Sequence, residues 1–555
     1  VLNFIRARVM EKDNQESQGL TEDKLFPADT DYEIGQDNIE IFGLDIHNPV
    51  FALSATLALI FSSLVLAFPE TSTSALLSTR DIILDLFDTM FSLSIIALTT
   101  FILFLIISPF GRIRLGGEDA KPEFGFVSWV CMLFSAGVGI GMTFYGAAEP
   151  LAYYTGIYGS PLGVTPETPE AYRLAFSATL FHWGISGWSV YALIGLAIGF
   201  FTFNRKLPLT IRSIFYPLLG ERVWGWPGHI IDVVAVLSTL FGLATSLGLG
   251  AQQVSAGLNY LFDIPKTLQT QALVIMSITS LAIYSVVRGL DKGVRKLSNI
   301  NIGMAACLLL FVILAGPTKL IISSYADNFT NYFVDMFRLS TLDRPEDKQW
   351  YHDWTIFYWA WWISWSPFVG IFIARISKGR TVREFLLVVM STPLLIAMIW
   401  FSSFGTTAIS QYDANIGSLP TNTGDISLVL FLMLENLVFP VISSLFALAL
   451  LVFFFVTSSD SGSLVIDSIT SGGKLHAPKP QRIFWASVEG LLAIVLLVGG
   501  GSSALGAIQA GAISMALPFV IILLAASISL TSGLYSELCY INSKDLKEES
   551  DAHAK

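Results

Sequence analysis

The sequence predicts an all-α protein that crosses a membrane twelve times. Hydrophobic residues make up 53% of the 555 positions and charged residues only 14%, and the mean hydropathy is +0.63. Soluble domains carry charge on about a quarter of their residues, so much of this surface is unsuited to water. Two interrupted apolar stretches, five spans apart, further predict that ten of the helices form two repeats of opposite orientation.

Twelve apolar stretches are long enough to cross a hydrocarbon core about 30 Å thick, which takes about 20 helical residues. They lie near residues 49–68, 87–109, 127–147, 174–202, 229–256, 271–288, 300–323, 354–374, 385–408, 438–463, 483–500 and 511–533. The loops after the second, fourth, sixth, eighth and tenth stretches hold most of the Lys and Arg residues. Since basic loops stay on the inner side, we expect both termini in the cytoplasm.

The third and eighth stretches contain residues that weaken a helix. The third holds the run Gly137 to Gly141, and the eighth holds Pro367 and Gly370. In transporters with inverted repeats, the broken first helix of each repeat helps to form the solute site near mid-membrane. Taken alone, Gly137 and Gly141 also fit a packing face of small residues. The matching interruption in the eighth stretch favours the repeat interpretation.

This organisation divides the chain into six parts. They are an acidic cytoplasmic segment (1–47), two peripheral helices (48–126), a first five-helix repeat (127–325), a periplasmic loop or amphipathic helix (326–353), a second repeat (354–535) and a short cytoplasmic tail (536–555). The net charge of −11 argues against a nucleic-acid partner, and three scattered cysteines build neither a disulfide framework nor a metal site. No nucleophile–base pair stands out, so we expect neither an enzyme nor an organic cofactor.

Aromatic residues cluster well inside two of the predicted spans. Trp361, Trp362 and Trp365 lie near the middle of the eighth, with neighbours on one face at spacings of three and four. The fourth span contains Trp183, Trp188 and Tyr191. An interfacial belt or ordinary helix packing is the alternative interpretation, but belts lie at the ends of spans.

A ring cluster at this depth suits a quaternary ammonium group. Such a group has a fixed positive charge and no N–H, and carboxylates that would bind it are costly inside a membrane. Each aromatic face offers about 0.5–2 kcal/mol instead. A carboxylate on the same solute would meet backbone N–H groups at Gly137, Val138 and Gly139. The pattern therefore predicts a small zwitterionic or quaternary-ammonium solute.

Hydroxyl groups follow the apolar part of the tenth span, at Thr457 and Ser458. They either bond back to their own helix or provide oxygen ligands for a hard cation. In the second case, carbonyls freed near Ser135 and Val138, together with Phe454, complete a sodium site. Few carboxylates lie deep in the spans, which disfavours proton coupling.

With these motifs in place, residues 50–535 closely resemble the betaine/choline/carnitine transporter family. The stretch Trp354 to Arg380, which contains Trp-Ala-Trp-Trp-Ile-Ser-Trp-Ser-Pro-Phe-Val-Gly, resembles the family signature. The run Gly137–Gly141, followed by Phe144, Tyr145, Gly146, Glu149 and Pro150, is similar to the glycine motif of the family. The resemblance implies a leucine-transporter-like core, alternating access, a bacterial inner membrane with contacts to its lipid, and a homotrimer.

The resemblance also implies roles for particular residues. Trp183, Trp188, Tyr191 and Trp362 look like the central cage, Trp361 and Trp365 like its neighbours, and Trp359 and Phe372 like aromatics of the permeation path. Choline transporters of the family carry Asp where this chain has Gly141, so a zwitterion is favoured. Val138 stands where glycine betaine specialists have Met, which admits ectoine or proline as well.

The coupling ion is expected to be sodium. Two-sodium members of the family have Thr at the position of Leu243, so a second site here would rest on Thr239 and Phe368. The first hypothesis is therefore a sodium-coupled importer of glycine betaine, with ectoine or proline as further solutes. The alternative is a sodium-independent carnitine/betaine exchanger.

Overall fold

The computed structural model describes residues 30–137, 139–288, 290–474 and 477–554, and most of them lie in helices. The helices are α1 (Val50–Ala67), α2 (Pro69–Ile107), α3 (Phe126–Gly137), α4 (Ile140–Tyr145), α5 (Ala148–Thr155), α6 (Pro169–Trp183), α7 (Ile185–Phe203), α8 (Trp226–Phe262), α9 (Leu268–Arg288), α10 (Leu290–Ala315), α11 (Thr318–Leu339), α12 (Phe357–Arg375), α13 (Val382–Asp413), α14 (Val429–Glu435), α15 (Pro440–Thr470), α16 (Lys479–Gly500) and α17 (Ala504–Ala554). Shorter helical turns occupy Pro109–Arg112, Pro161–Gly163, Arg212–Phe215, Tyr216–Leu219, Gly220–Trp224, Pro345–Asp347, Lys348–Trp350, Tyr351–Ile356, Leu419–Thr421 and Gly501–Ser503.

A small β-hairpin departs from the predicted all-α class. Strands β1 (Asn38–Ile41) and β2 (Leu44–His47) pair antiparallel, with Asn38 opposite His47, inside the segment expected to be only polar and acidic. The turn needs a residue with positive φ, which Gly43 supplies at φ 77°. The hairpin docks on the loops that follow the fourth and tenth predicted spans: Arg212 donates to His47 and Lys474 pairs with Asp45.

The described residues contain ten helices that are long and apolar enough to cross a membrane, or eleven if a bent pair counts as one span. The predicted third span, 127–147, corresponds to α3 and α4, which are separated at its glycines and so are not counted as one long helix. A multi-pass membrane protein is therefore confirmed.

The predicted seventh span, 300–323, is wrong at its end. Helix α10 stops at Ala315 and α11 begins at Thr318, turned by 112°. Pro317 between them has no N–H to donate and cannot continue the helix. Residues 318–323 therefore belong to a differently oriented helix.

The expected interruption of the eighth span at Pro367 is also wrong. Helix α12 continues through this proline from Phe357 to Arg375. Proline removes the N–H that would bond the carbonyl four residues earlier, which belongs to Ile363. The Ser366 hydroxyl donates to that carbonyl at 2.7 Å and restores a bond. Helix α12 lies at the centre of the fold, packed against α7, α8 and α17.

Candidate solute-binding site

The backbone is broken at the glycine run of the third span, as predicted. Helix α3 ends at Gly137, and Gly139 has φ −157° and ψ −125° before α4 begins. A Cβ on Gly139 would lie 3.6 Å from the Ser458 hydroxyl, so the break faces α15. Val138 lies outside the described residues, and so does the side chain of Ser135. The carbonyl ligands expected there stay a prediction.

A second break, which the sequence analysis missed, lies in the fourth span. Gly184 (φ −96°, ψ −141°) separates α6 from α7, between Trp183 and Trp188. The Ile185 N–H left without a helical partner donates to the Tyr332 hydroxyl at 3.2 Å. A Cβ at Gly184 would come within 2.5 Å of the Leu180 carbonyl oxygen, which explains why glycine stands there.

The aromatic residues of α6, α7 and α12 meet around Trp362. Its ring centroid lies 5.7 Å from that of Trp183, 5.9 Å from that of Trp188 and 4.9 Å from that of Tyr191. Trp183 also meets Trp361 edge-on at 6.0 Å. Two spans far apart in sequence thus contribute rings to one cluster at the centre of the fold.

A small cavity adjoins this cluster. Its walls are Gly139, Ile140, Gly141, Trp183, Tyr191, Ser246, Trp361, Trp362 and Trp365. Trp188 stands behind Trp362 rather than in the wall. Ser246 was not singled out by the sequence, because one serine in an apolar helix carries no distinctive pattern. Among the described residues, no charged side chain lines the cavity.

Two indole N–H groups at the cavity have no hydrogen-bond partner. Those of Trp362 and Trp365 are buried and unpaired, whereas Trp183 donates to Glu149 at 2.8 Å and Trp361 donates to Ser246 at 3.2 Å. A buried donor without a partner is unfavourable. A solute oxygen in the cavity would satisfy these two groups, and a carboxylate provides two such oxygens.

Glu149 holds the outer side of the cage in place. Its carboxylate is fully buried and accepts from Trp183, from Tyr153 at 2.9 Å and from Tyr358. The His182 ring lies 3.0 Å from the same carboxylate and stacks on Tyr358 with centroids 4.6 Å apart. Sequence patterns do not reveal this network, because its five residues lie on three separate helices.

The hydroxyls of α15 differ from one another. Thr457 donates within its own helix, to the carbonyls of Phe453 and Phe454 at 3.0 Å, and accepts from Asn301 at 2.9 Å. This geometry is the back-bonding alternative weighed from the sequence. Ser458 is the hydroxyl that faces the glycine break.

The residues expected for a second sodium make local contacts. Thr239 donates to the Ala235 carbonyl at 2.8 Å, and Phe368 packs edge-on against Trp365 at 5.4 Å. Leu243 fills the space beside Gly462, where a Cβ would meet it at 2.3 Å.

The two aromatics predicted along the permeation path are buried to different extents. Trp359 is buried and packs against Phe181 at 5.1 Å, away from the cavity wall. Phe372 is half-buried against the hydrophobic core.

Comparison with known proteins identifies the family of the chain. The model of the BCCT, betaine/carnitine/choline family of transporters matches residues 49–538. A glycine betaine transporter of Vibrio parahaemolyticus is 50% identical over 93% of this chain and 99% of its own length. Another Vibrio parahaemolyticus protein, a glycine betaine/proline/choline/ectoine transporter, is 50% identical over 92% of this chain and 91% of its own. The Bacillus subtilis glycine betaine transporter OpuD is 44% identical, with coverages of 84% and 91%. The chain belongs to the betaine/carnitine/choline transporter family.

Proposed function

We propose that this transporter imports betaine-type compatible solutes together with sodium, by alternating access across a bacterial inner membrane. The observation that carries the proposal is the cavity where ring faces of Trp183, Tyr191 and Trp362 stand beside the unpaired indole N–H groups of Trp362 and Trp365. Ring faces suit a quaternary ammonium, and the donors suit a carboxylate. Glycine betaine joins both groups in one small molecule.

Relatives support this solute class. Two proteins that are each 50% identical to this chain are named as transporters of glycine betaine, one of them also of proline, choline and ectoine. In this chain Gly141 leaves no room for a carboxylate side chain, since a Cβ there would lie 2.6 Å from Trp183 and 2.7 Å from Trp361. We therefore expect zwitterions to be preferred to choline.

The sodium site is proposed between the glycine break and α15, with Ser458 as the hydroxyl ligand that faces the break. Thr457 joins it by exchanging its helical bond for the ion, and carbonyls near Ser135, Val138 and Phe454 complete the shell. The wider architecture of the proposal has twelve spans, two inverted five-helix repeats, cytoplasmic termini and a homotrimer. The basic loops after alternate spans support the orientation.

Uptake into proteoliposomes tests the function. Labelled glycine betaine, ectoine and proline are supplied with and without an inward sodium gradient, and we expect sodium-driven accumulation. Ser458→Ala should lower the apparent sodium affinity by at least about tenfold. Ser487→Ala is the matched control, because Ser487 only donates to Ile483 in its own helix and is exposed. Counterflow of carnitine without sodium would instead establish the exchanger.

A further inference from the structure

Helices α15 and α16 run antiparallel and carry acidic and basic groups at two levels. At the cytoplasmic level, the Arg482 guanidinium donates to the Asp467 carboxylate at 3.0 Å. Asp460 on α15 and Glu489 on α16 each lie seven residues from this ion pair. Seven helical residues are two turns, or about 10 Å, in the direction of mid-membrane. The lower level therefore pairs a cation with an anion, whereas the upper level places two carboxyl groups beside each other.

The upper level is buried and incompletely bonded. Glu489 is 0% exposed, and neither of its carboxyl oxygens has a hydrogen-bond partner of good geometry. One oxygen of Asp460 accepts from Ser285 on α9 at 2.7 Å, and the other has no partner. The Ser459 hydroxyl, on a side chain 1% exposed, lies against the Glu489 carboxyl group, but their contact falls short of a well-formed hydrogen bond. Four buried oxygens thus lack a well-formed hydrogen bond at one place.

No basic side chain within the described part of the chain forms an ion pair with either of these carboxyls. Arg482 acts on Asp460 only from a distance, because its guanidinium is bonded to Asp467. Two carboxylates at this depth are costly without a counter-charge. One Na⁺ among carboxylate and hydroxyl oxygens neutralises one of the two negative charges and binds the unpaired acceptors.

We propose that Glu489, Asp460 and Ser459 form a site for one Na⁺ between α9, α15 and α16. This site is distinct from the one at Ser458. On a helix of 3.6 residues per turn, Asp460 points roughly 200° away from Ser458, towards α16 rather than the glycine break. The site offers a second sodium ion a place of its own, because Leu243 has no ligand oxygen and fills the space beside Gly462.

Equilibrium binding of ²²Na⁺ to the purified full chain tests this site without any transported solute. We expect two ions per wild-type chain, one in Glu489→Gln and one in Ser458→Ala. Ser459→Ala should weaken binding of the Glu489 ion about tenfold while leaving both carboxyls in place. Glu435→Gln is the control, because that carboxylate accepts from Ser418 outside the membrane core and should still bind two ions.

The sodium dependence of thermal unfolding provides a second readout, which a purely structural role of Glu489 would not change. Without sodium, Glu489→Gln should unfold at a higher temperature than wild type, and added Na⁺ should stabilise it less. Two ions bound with unchanged affinity by both Glu489→Gln and Ser459→Ala would overturn the proposal. A second pair of results would also overturn it: the wild type binds one ion, which Ser458→Ala loses, and an infrared carboxylic-acid band of the wild type disappears in Glu489→Gln. Glu489 would then carry a proton instead of binding an ion. If uptake by the wild type depends on sodium in either case, the proposed transport function is unaffected.

Discussion

The third and eighth spans both contain residues that weaken a helix, but the helix is broken in the third span and continuous in the eighth. The third has three glycines between positions 137 and 141, and its helix stops at Gly137 and restarts at Ile140. The eighth has Pro367, and its helix continues. The difference lies in what replaces the lost bond: Ser366 donates to the carbonyl that Pro367 leaves unbonded. Whether a helix breaks therefore depends on the residue that removes a backbone hydrogen bond and equally on whether a nearby side chain replaces that bond.

The two spans contribute different things to the site because of this difference. The broken span presents the backbone at Gly139 and Gly141 to the cavity. The continuous helix α12 presents Trp361, Trp362 and Trp365 at fixed helical spacings. A rigid helix holds large rings at defined positions, and a broken one exposes backbone groups close to a ligand.

The largest effect should follow removal of the ring at the centre of the cage. Trp362→Ala removes a ring that touches Trp183, Trp188 and Tyr191, so we expect glycine betaine uptake at least about thirtyfold less efficient in kcat/KM. Trp362→Phe keeps a ring face and should retain more uptake. Normal uptake by Trp362→Ala in proteoliposomes would remove Trp362 from the solute site.

A methyl group on the broken span should have the next largest effect. In Gly141→Ala the new carbon would meet the outer ring atoms of Trp183 and Trp361 at 2.6 and 2.7 Å, so both rings must shift. Overpacking of this size costs about 1–3 kcal/mol, and we expect uptake to fall about tenfold or more. Gly303→Ala is the control, since no atom lies within 4 Å of its added carbon. Equal uptake by the two variants would contradict the described cage.

The repair of the proline position can be tested directly on the continuous helix. Ser366→Ala leaves the buried Ile363 carbonyl without a donor, so we expect about 1–3 kcal/mol of destabilisation in thermal or denaturant unfolding. Ser391→Ala removes an exposed hydroxyl that donates to the Leu387 carbonyl, which a helical N–H also serves, and should change little. Equal stability of the two variants would show that Ser366 does not compensate for Pro367.

The docked N-terminal hairpin should give the smallest effect on uptake and a measurable effect on local opening. Burial, followed by the charges of Arg212 and His229, lowers the pKa of His47 from 6.5 to about 3. His47 therefore binds a proton more readily in the undocked state than in the docked state. The equilibrium constant for docking falls as pH drops below 6.5, by up to about tenfold per pH unit. The protection of the amides in residues 38–47, corrected for the intrinsic pH dependence of exchange, should fall from pH 7.5 to pH 5. His47→Gln should remove that dependence, and a variant that keeps it would exclude His47 as its source.

Sequence patterns predicted the features of the fold that arise from local chemistry. The glycine break at 137–139 was predicted because several glycines lie together. The orientation inferred from the basic loops stays a prediction. The break at Gly184 was missed because one glycine in an apolar helix is common. The hairpin at 38–47 was missed because its strands are only four residues long.

The aromatic rings of the site could be predicted from the sequence, whereas the hydrogen-bond network that holds them could not. Helical spacing brought Trp361, Trp362 and Trp365 together, since they share one rigid helix. Ser246 and Glu149 reach the site from other elements, so their roles depend on how distant helices pack. The same holds for Glu489 and Asp460, which are unremarkable in sequence until α15 and α16 place them together.

The most direct measurement is an experimental structure of the transporter with glycine betaine and Na⁺ bound. The account predicts the trimethylammonium group among Trp183, Tyr191 and Trp362, and the carboxylate within hydrogen-bonding distance of the Trp362 or Trp365 indole N–H or the backbone at Gly139. A third helix that runs unbroken through Gly137–Gly139, or a solute bound away from these rings, would contradict it.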